Sequence, residues 1–173
     1  GSEAYASRPL FPLETTVANF TLDILQTAGL ARDVIQVGEG QSELEQDLAR
    51  AAALQGRTVT PENLPENGLF FRADHFSLAR RGVPVLLIMG IAGGADLVEG
   101  GRAAGDKWIA DYTGNCYHQT CDAWSPEWDL RGAVQDIELF QSIITDLANS
   151  SRWPELLPSS EFKSIRDESR HRR

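Results

Sequence analysis

Apolar residues along the chain follow two rhythms, one suited to strands and one to helices. Thr16-Val17-Ala18-Asn19-Phe20-Thr21-Leu22-Asp23-Ile24-Leu25 is apolar-rich and β-tolerant, with Pro9 and Pro12 before it and Gly29 after it, and it predicts a strand. Asp23 then falls near the C-terminal end of that strand. Asp33-Val34-Ile35-Gln36-Val37 predicts a second short strand that stops at Gly38-Glu39-Gly40. Val83-Pro84-Val85-Leu86-Leu87-Ile88-Met89 is almost continuously apolar, the pattern of a strand buried on both faces of a largely parallel sheet. Between these lie a loop rich in Pro and Asn (Pro61, Asn63, Pro65, Asn67, Gly68) and Leu69-Phe70-Phe71, which reads as a further strand.

The helical rhythm begins at Ser42, which together with Glu45 has the form of a capping box. Leu44, Leu48, Ala51, Ala52 and Leu54 follow at helical spacing, so residues 42–55 are expected to be a helix. His75 to Arg81 predicts a short helix ended by Gly82. Arg131 to Ala148 predicts a longer one with Val134, Ile137, Phe140, Ile144 and Leu147 as its apolar stripe. Residues 90–126 hold Gly, Asp and aromatics without periodicity and are expected to be loop, a length that is usually functional. Strands alternating with helices predict an α/β fold, a three-layer sandwich with a mixed, mostly parallel sheet and flanking helices, with residues 1–173 forming a single domain. Ligands are expected beyond the carboxyl ends of its strands. No internal repeat or low-complexity segment is present.

Composition narrows the functional classes. The 173 residues are 42% hydrophobic and 24% charged, near the average for a globular domain with a real core. A formal net charge of -9 and a sequence pI of about 4.8 oppose nucleic acid or an anionic membrane as partner. The basic tail Arg170-His171-Arg172-Arg173 is expected to be a solvated end. No apolar run is long enough to span a bilayer. Cys116 and Cys121 lie close together, and either a local disulfide or two free thiols fit them; metal ligation by this pair is the weaker idea, since the spacing is not C-x-x-C.

Three groups of residues carry candidate chemistry: Asp23 at a strand end, Asp74-His75 before the short helix, and Tyr117-His118 in the long polar segment. Carboxylate and imidazole together suit zinc. Each residue also has a plainer role. A strand-end Asp is commonly a turn residue, Asp74 is placed to cap a helix, and a lone His in a polar loop is commonly just solvated.

The motifs around these residues have a recognisable pattern. Phe71-Arg72-Ala73-Asp74-His75-Phe76-Ser77-Leu78-Ala79-Arg80-Arg81-Gly82-Val83-Pro84 resembles the "F-x-R-S-D-H-F-x-F-x-x-x-G-V-P" segment of M28 metallopeptidases. Tyr117-His118-Gln119-Thr120-Cys121-Asp122 is similar to their "Y-H-x-P-x-D", and Ala18-Asn19-Phe20-Thr21-Leu22-Asp23 to "A-N-x-N-x-D-M". Ser160-Glu161-Phe162-Lys163-Ser164-Ile165-Arg166 is similar to an ending common in bacterial members. Thr21, Ile24, Ala73 and Thr120 depart from the pattern without removing a ligand. The family's earlier "H-x-D" and "E-E-x-G-x-x-G-S" segments have no counterpart, although Gly1-Ser2 matches the end of the second and is equally a dipeptide that cloning leaves behind.

The resemblance implies a zinc-exopeptidase-like fold short of its N-terminal part. In the complete enzyme two zinc ions would be held by five side chains and would remove N-terminal residues from a peptide substrate. By motif, Asp23 would be the terminal carboxylate ligand of one zinc and His118 the imidazole ligand of the other. The general-base Glu is expected in the missing N-terminal part, so no catalytic residue is assigned here. Asp74, His75 and Tyr117 are the expected substrate contacts: Asp74 and His75 as substrate-amine contacts or supports behind the metals, Tyr117 donating to an oxyanion or orienting His118. The segment from Ile91 to Tyr112, with Trp108, would form a specificity wall, or Trp108 would simply pack that segment down. The chain alone is expected to have little or no activity, to bind zinc weakly, and to present an open sheet edge inviting self-association or another partner. Exported bacterial relatives make secretion or a periplasmic location the expectation. The rival readings are a non-catalytic interaction domain of the same fold and a glutaminyl-cyclase-like acyltransferase.

Overall fold

Four strands form one sheet in the order β1-β4-β2-β3 in the computed structural model, which describes residues 1–171. The strands are β1 (Asn19–Asp23), β2 (Asp33–Val37), β3 (Thr58–Pro61) and β4 (Val85–Met89). β1 runs parallel to β4 and β2 parallel to β3, while β4 and β2 meet antiparallel, so the sheet is mixed with parallel pairs on both sides of one antiparallel seam. β1 and β3 are the edges.

Alternation along the central strands supplies two cores, one on each face of the sheet. Leu86 and Ile88 of β4 and Val34 of β2 pack against Leu44, Leu48 and Ala52 of α2 (Leu44–Leu54 in a chain where α1 is Ser2–Ser7) and against Leu139, Phe140 and Ile143 of a long helix, Arg131–Ala148. On the other face Val85, Leu87 and Met89, with Ile35 and Val37, pack against Phe70, Ala79, Leu156 and Phe162. Both faces are therefore covered, as expected of an α/β sandwich. The α2 start keeps half of the capping box: Glu45 Oε1 accepts from the Ser42 N–H at 3.1 Å, while the Ser42 hydroxyl accepts from Leu44 instead of the Glu45 amide.

Several expectations are corrected. Leu69–Phe71 is a 3-10 turn, which puts Phe70 into the core while Phe71 stays exposed. A strand was not foreseen at Thr58–Pro61, where Pro61 is tolerated because it ends an edge strand. The short helix is α3 (Phe76–Ala79). Residues 90–126 are not loop throughout, because Gly101–Asn115 forms a 15-residue helix, α4. Its sole buried residue is Gly105, so no apolar stripe announces it.

The long helix, α5, turns a different face inward. Ala133, Asp136, Leu139, Phe140, Ile143 and Leu147 are buried, whereas Val134, Ile137 and Ile144 of the expected stripe are 49%, 48% and 43% exposed. Two contacts set this rotation. At Gly132 a Cβ would sit 1.9 Å from Gln26 Nε2, so the helix approaches that backbone through its smallest residue. Asp136 meets the buried Arg57 guanidinium at 2.7 Å. The chain ends in α6 (Lys163–His171); Arg170 lies 3.9 Å over the Trp153 ring, and Arg172 and Arg173 of the basic tail lie outside the described residues.

Candidate active site

Asp23 is the last residue of β1, half-buried, and paired in register with Met89. The chain then leaves the strand abruptly. Ile24 has φ 51, and its carbonyl accepts from the Gly90 N–H at 2.7 Å. A β-branched residue in the left-handed region is strained by roughly 1–3 kcal/mol, a cost that surrounding packing must offset.

The second non-glycine residue with positive φ among the described residues is His118, at 61. It stands after α4 inside a ring closed by a Cys116–Cys121 disulfide, with a sequence separation of 5 and a Cα–Cα distance of 5.3 Å. Its imidazole stacks on Tyr117 at 3.9 Å between ring centroids. Among the described residues, left-handed backbone at non-glycine positions is thus confined to His118 and to the residue that follows Asp23.

These residues share one electrostatic neighbourhood. Burial pushes the Asp23 carboxyl above the usual carboxylate range, the negative charge of Asp74 pushes it further, and His118 opposes the rise. Asp23, Asp74 and His118 therefore converge although they come from β1, the turn before α3 and the segment after α4. Asp74 is exposed and does not cap α3; its Oδ1 accepts from the Ser2 hydroxyl at 3.0 Å, which ties α1 to the same region.

Not every expected contact lies on this surface. His75 is only 1% exposed, set edge-on to Phe70 at 4.6 Å, with both ring nitrogens buried and unpartnered among the described residues. Burial drives its pKa down to about 4, against the pull of Asp74 in the other direction. It supports the surface from beneath.

Beside Asp23 opens a cavity of about 670 Å³. Ile24 and Leu25 form one side, Trp108 and Tyr112 of α4 another, and the disulfide, Trp128 and Leu130 close it. Trp108 stacks on Tyr112 at 5.5 Å and its indole N–H donates to Thr27 at 3.2 Å; Tyr112 contacts Tyr117 at 5.7 Å. An aromatic row therefore runs from the cavity wall through Tyr112 and Tyr117 to His118. Burial, followed by the hydrogen bond to Asp122, pushes the Tyr112 phenol up to about 12, so it stays a donor at all ordinary pH. Trp108 and Tyr112 fall within the 91–112 segment expected to form a wall, whereas Trp128 was not foreseen; what the sequence missed is that Trp108 and Tyr112 stand at i, i+4 on one face of α4.

Zinc takes carboxylate oxygen and imidazole nitrogen donors. Among the described residues neither the Asp23 carboxylate nor the His118 imidazole makes a hydrogen bond or an ion pair, so one oxygen donor and one nitrogen donor are uncommitted. In kind they fit. In number they fall short, because no group of three or more His, Cys, Asp or Glu that could hold a metal occurs among the described residues.

Comparison with protein families gives a match to the model described as Peptidase family M28 over residues 1–140. Comparisons with curated proteins and with solved structures give no match.

Proposed function

Since the chain belongs to peptidase family M28, we propose that it forms the part of a zinc aminopeptidase that carries Asp23 as a ligand of one zinc and His118 as a ligand of the other. The observation that carries this reading is the convergence of Asp23, Asp74 and His118, with left-handed backbone at His118 and directly after Asp23. Zinc, when bound, supplies a water acidified to a pKa of about 7 and polarises the scissile carbonyl. Asp23 and His118 each offer an uncommitted donor, held by the end of β1 and by the cystine ring.

The remaining residues act on the peptide. Asp74, exposed on the same surface, is the residue assigned to receive the N-terminal ammonium of the substrate. Tyr117 stacks on the imidazole and orients it. The 670 Å³ cavity, with Ile24, Trp108 and Trp128 in its walls, accepts the side chain of the first residue. The general-base Glu is not among the residues assigned here, since the motif that holds it in the family has no counterpart in this sequence. The Cys116–Cys121 disulfide supports export to an oxidising compartment. Among the described residues no helix is long and apolar enough to cross a membrane.

Catalytic zinc usually has three protein ligands and a water, so two donors from different metal positions make a weak site. Calorimetric titration of zinc into the metal-stripped 173-residue chain, with Asp23→Ala and His118→Ala in parallel, tests the assignment. Weak binding that each substitution abolishes is expected, with no release of 4-nitroaniline from aminoacyl 4-nitroanilides. Binding indifferent to both substitutions would remove Asp23 and His118 from the metal, and turnover by the pure chain would refute its inactivity.

A further inference from the structure

The cystine ring encloses Tyr117 and His118, and the same two cysteines form part of the cavity wall. One covalent bond therefore joins a proposed metal ligand to the proposed side-chain pocket. No helix or strand runs through the ring itself, and its remaining bonds tie it to the end of α4 and to its own turns: the Cys116 and Tyr117 N–H groups donate to the Tyr112 carbonyl at 2.9 Å, the Tyr112 hydroxyl donates to Asp122 at 3.0 Å, Gln119 N–H donates to the Cys116 carbonyl at 2.8 Å and Asp122 N–H to the Gln119 carbonyl at 3.0 Å. Among the described residues the His118 imidazole stacks on Tyr117 and makes no hydrogen bond. Cys121 is exposed, within reach of a thiol in solution.

We propose that Cys116 and Cys121 are positioning residues for His118, and that their disulfide is a redox-sensitive latch whose reduction releases the imidazole and opens the cavity wall together. The metal half of this inference rests on the function proposed above; the positional half does not. A small dithiol serves as reductant. Its thiolate attacks one cystine sulfur, the S–S bond breaks, Cys116 and Cys121 together take up two electrons and two protons as thiols, and the dithiol closes to its own disulfide. With the ring open, the left-handed backbone at His118 is no longer imposed, and the stack on Tyr117 is lost.

The experiment follows the His118 ring Cε1–Hε1 resonance in the full chain by NMR, oxidised, reduced with dithiothreitol, and as the Cys116→Ser/Cys121→Ser double variant. Stacking at 3.9 Å should shift the oxidised resonance upfield. Reduction and the double variant should both return it to the random-coil position, while Leu87, Leu139 and Phe140 keep their native shifts, and reoxidation should restore the original signal. An unchanged His118 resonance overturns the proposal. So does global loss of native shifts in both states, which would make the disulfide a general staple of the fold. A second arm measures zinc affinity in the absence of thiol. The double variant should bind about 10–100-fold more weakly than the parent. If the NMR arm succeeds and the zinc arm shows no change, the positional half stands and the ligand role of His118 falls.

Discussion

Gly90, directly after β4, is where the backbone of the turn following Asp23 comes up against the end of the sheet. A Cβ there would lie 2.4 Å from the Ile24 carbonyl oxygen and 2.8 Å from the Gln26 nitrogen, both backbone atoms that no side-chain rotation can clear. Against ordinary contact at 3.4 Å, the Gly90→Ala methyl is short by about 1 Å on one side. The turn after Asp23 must therefore move, and the Gly90 N–H···O Ile24 bond of 2.7 Å lengthens with it. Overpacking of this kind costs about 1–3 kcal/mol, and loss of one hydrogen bond adds about 1 kcal/mol. A total near 2–4 kcal/mol is a large share of the roughly 5–15 kcal/mol that a domain holds in reserve. Urea unfolding followed by tryptophan fluorescence should show the midpoint falling by about 1–2 M, taking about 2 kcal/mol/M for the slope. Because Asp23 directly precedes the displaced residue, zinc binding should weaken in the same variant. Gly114→Ala is the control: it lies in α4 with nothing within 4 Å of its added Cβ, and it should stabilise by about 0.4–1 kcal/mol. A Gly90→Ala chain that unfolds at the parent midpoint would show that β1 and β4 do not meet as closely as described.

Two further tests address the groups beneath the site. His75 titrates near 4 in the folded chain and near 6.5 when unfolded, so between those values the unfolded chain binds more protons and stability falls as pH falls through that window. The loss should reach about 3 kcal/mol by pH 4 and be much reduced in His75→Phe; equal pH slopes for the two chains would contradict the burial. Asp136→Ala should cost about 3–5 kcal/mol in urea unfolding, because it leaves the Arg57 guanidinium charged and buried, whereas the paired Arg57→Met/Asp136→Leu exchange should recover most of that loss.

Elements whose burial follows a simple period were legible in the sequence. β4 is buried along its whole length and so reads as continuously apolar, and α2 repeats its buried leucines and alanines at helical spacing. α4 was hidden because Gly105 is all it buries, and β3 because Pro61 and the polar residues after it resemble a loop. The orientation of α5 was misread for a specific reason. Counting apolar positions could not anticipate that Asp136 goes inside with Arg57 while Ile137 stays out. Asp23 and His118 were named from motifs, but their convergence with Asp74 depends on the path of the chain through the sheet, which no local pattern encodes. A wall was expected from the segment holding Trp108 and Tyr112, but its shape depended on α4 and could not be drawn without that helix.

The last stretch of the chain has a practical meaning for anyone who trims this protein. The match to the family model ends at residue 140, partway along α5, yet Leu156 and Phe162 fill the core on one face of the sheet. Arg166, 5% exposed, reaches back to donate to the Leu13 and Thr16 carbonyls at 3.2 and 2.9 Å. Cutting at the edge of sequence similarity would sever a helix, uncover Phe70 and Leu87, and leave two carbonyls near the amino end without their donor. Shortened versions should therefore be sticky and hard to purify. The span that matches the family model is narrower than the one the molecule needs in order to stand.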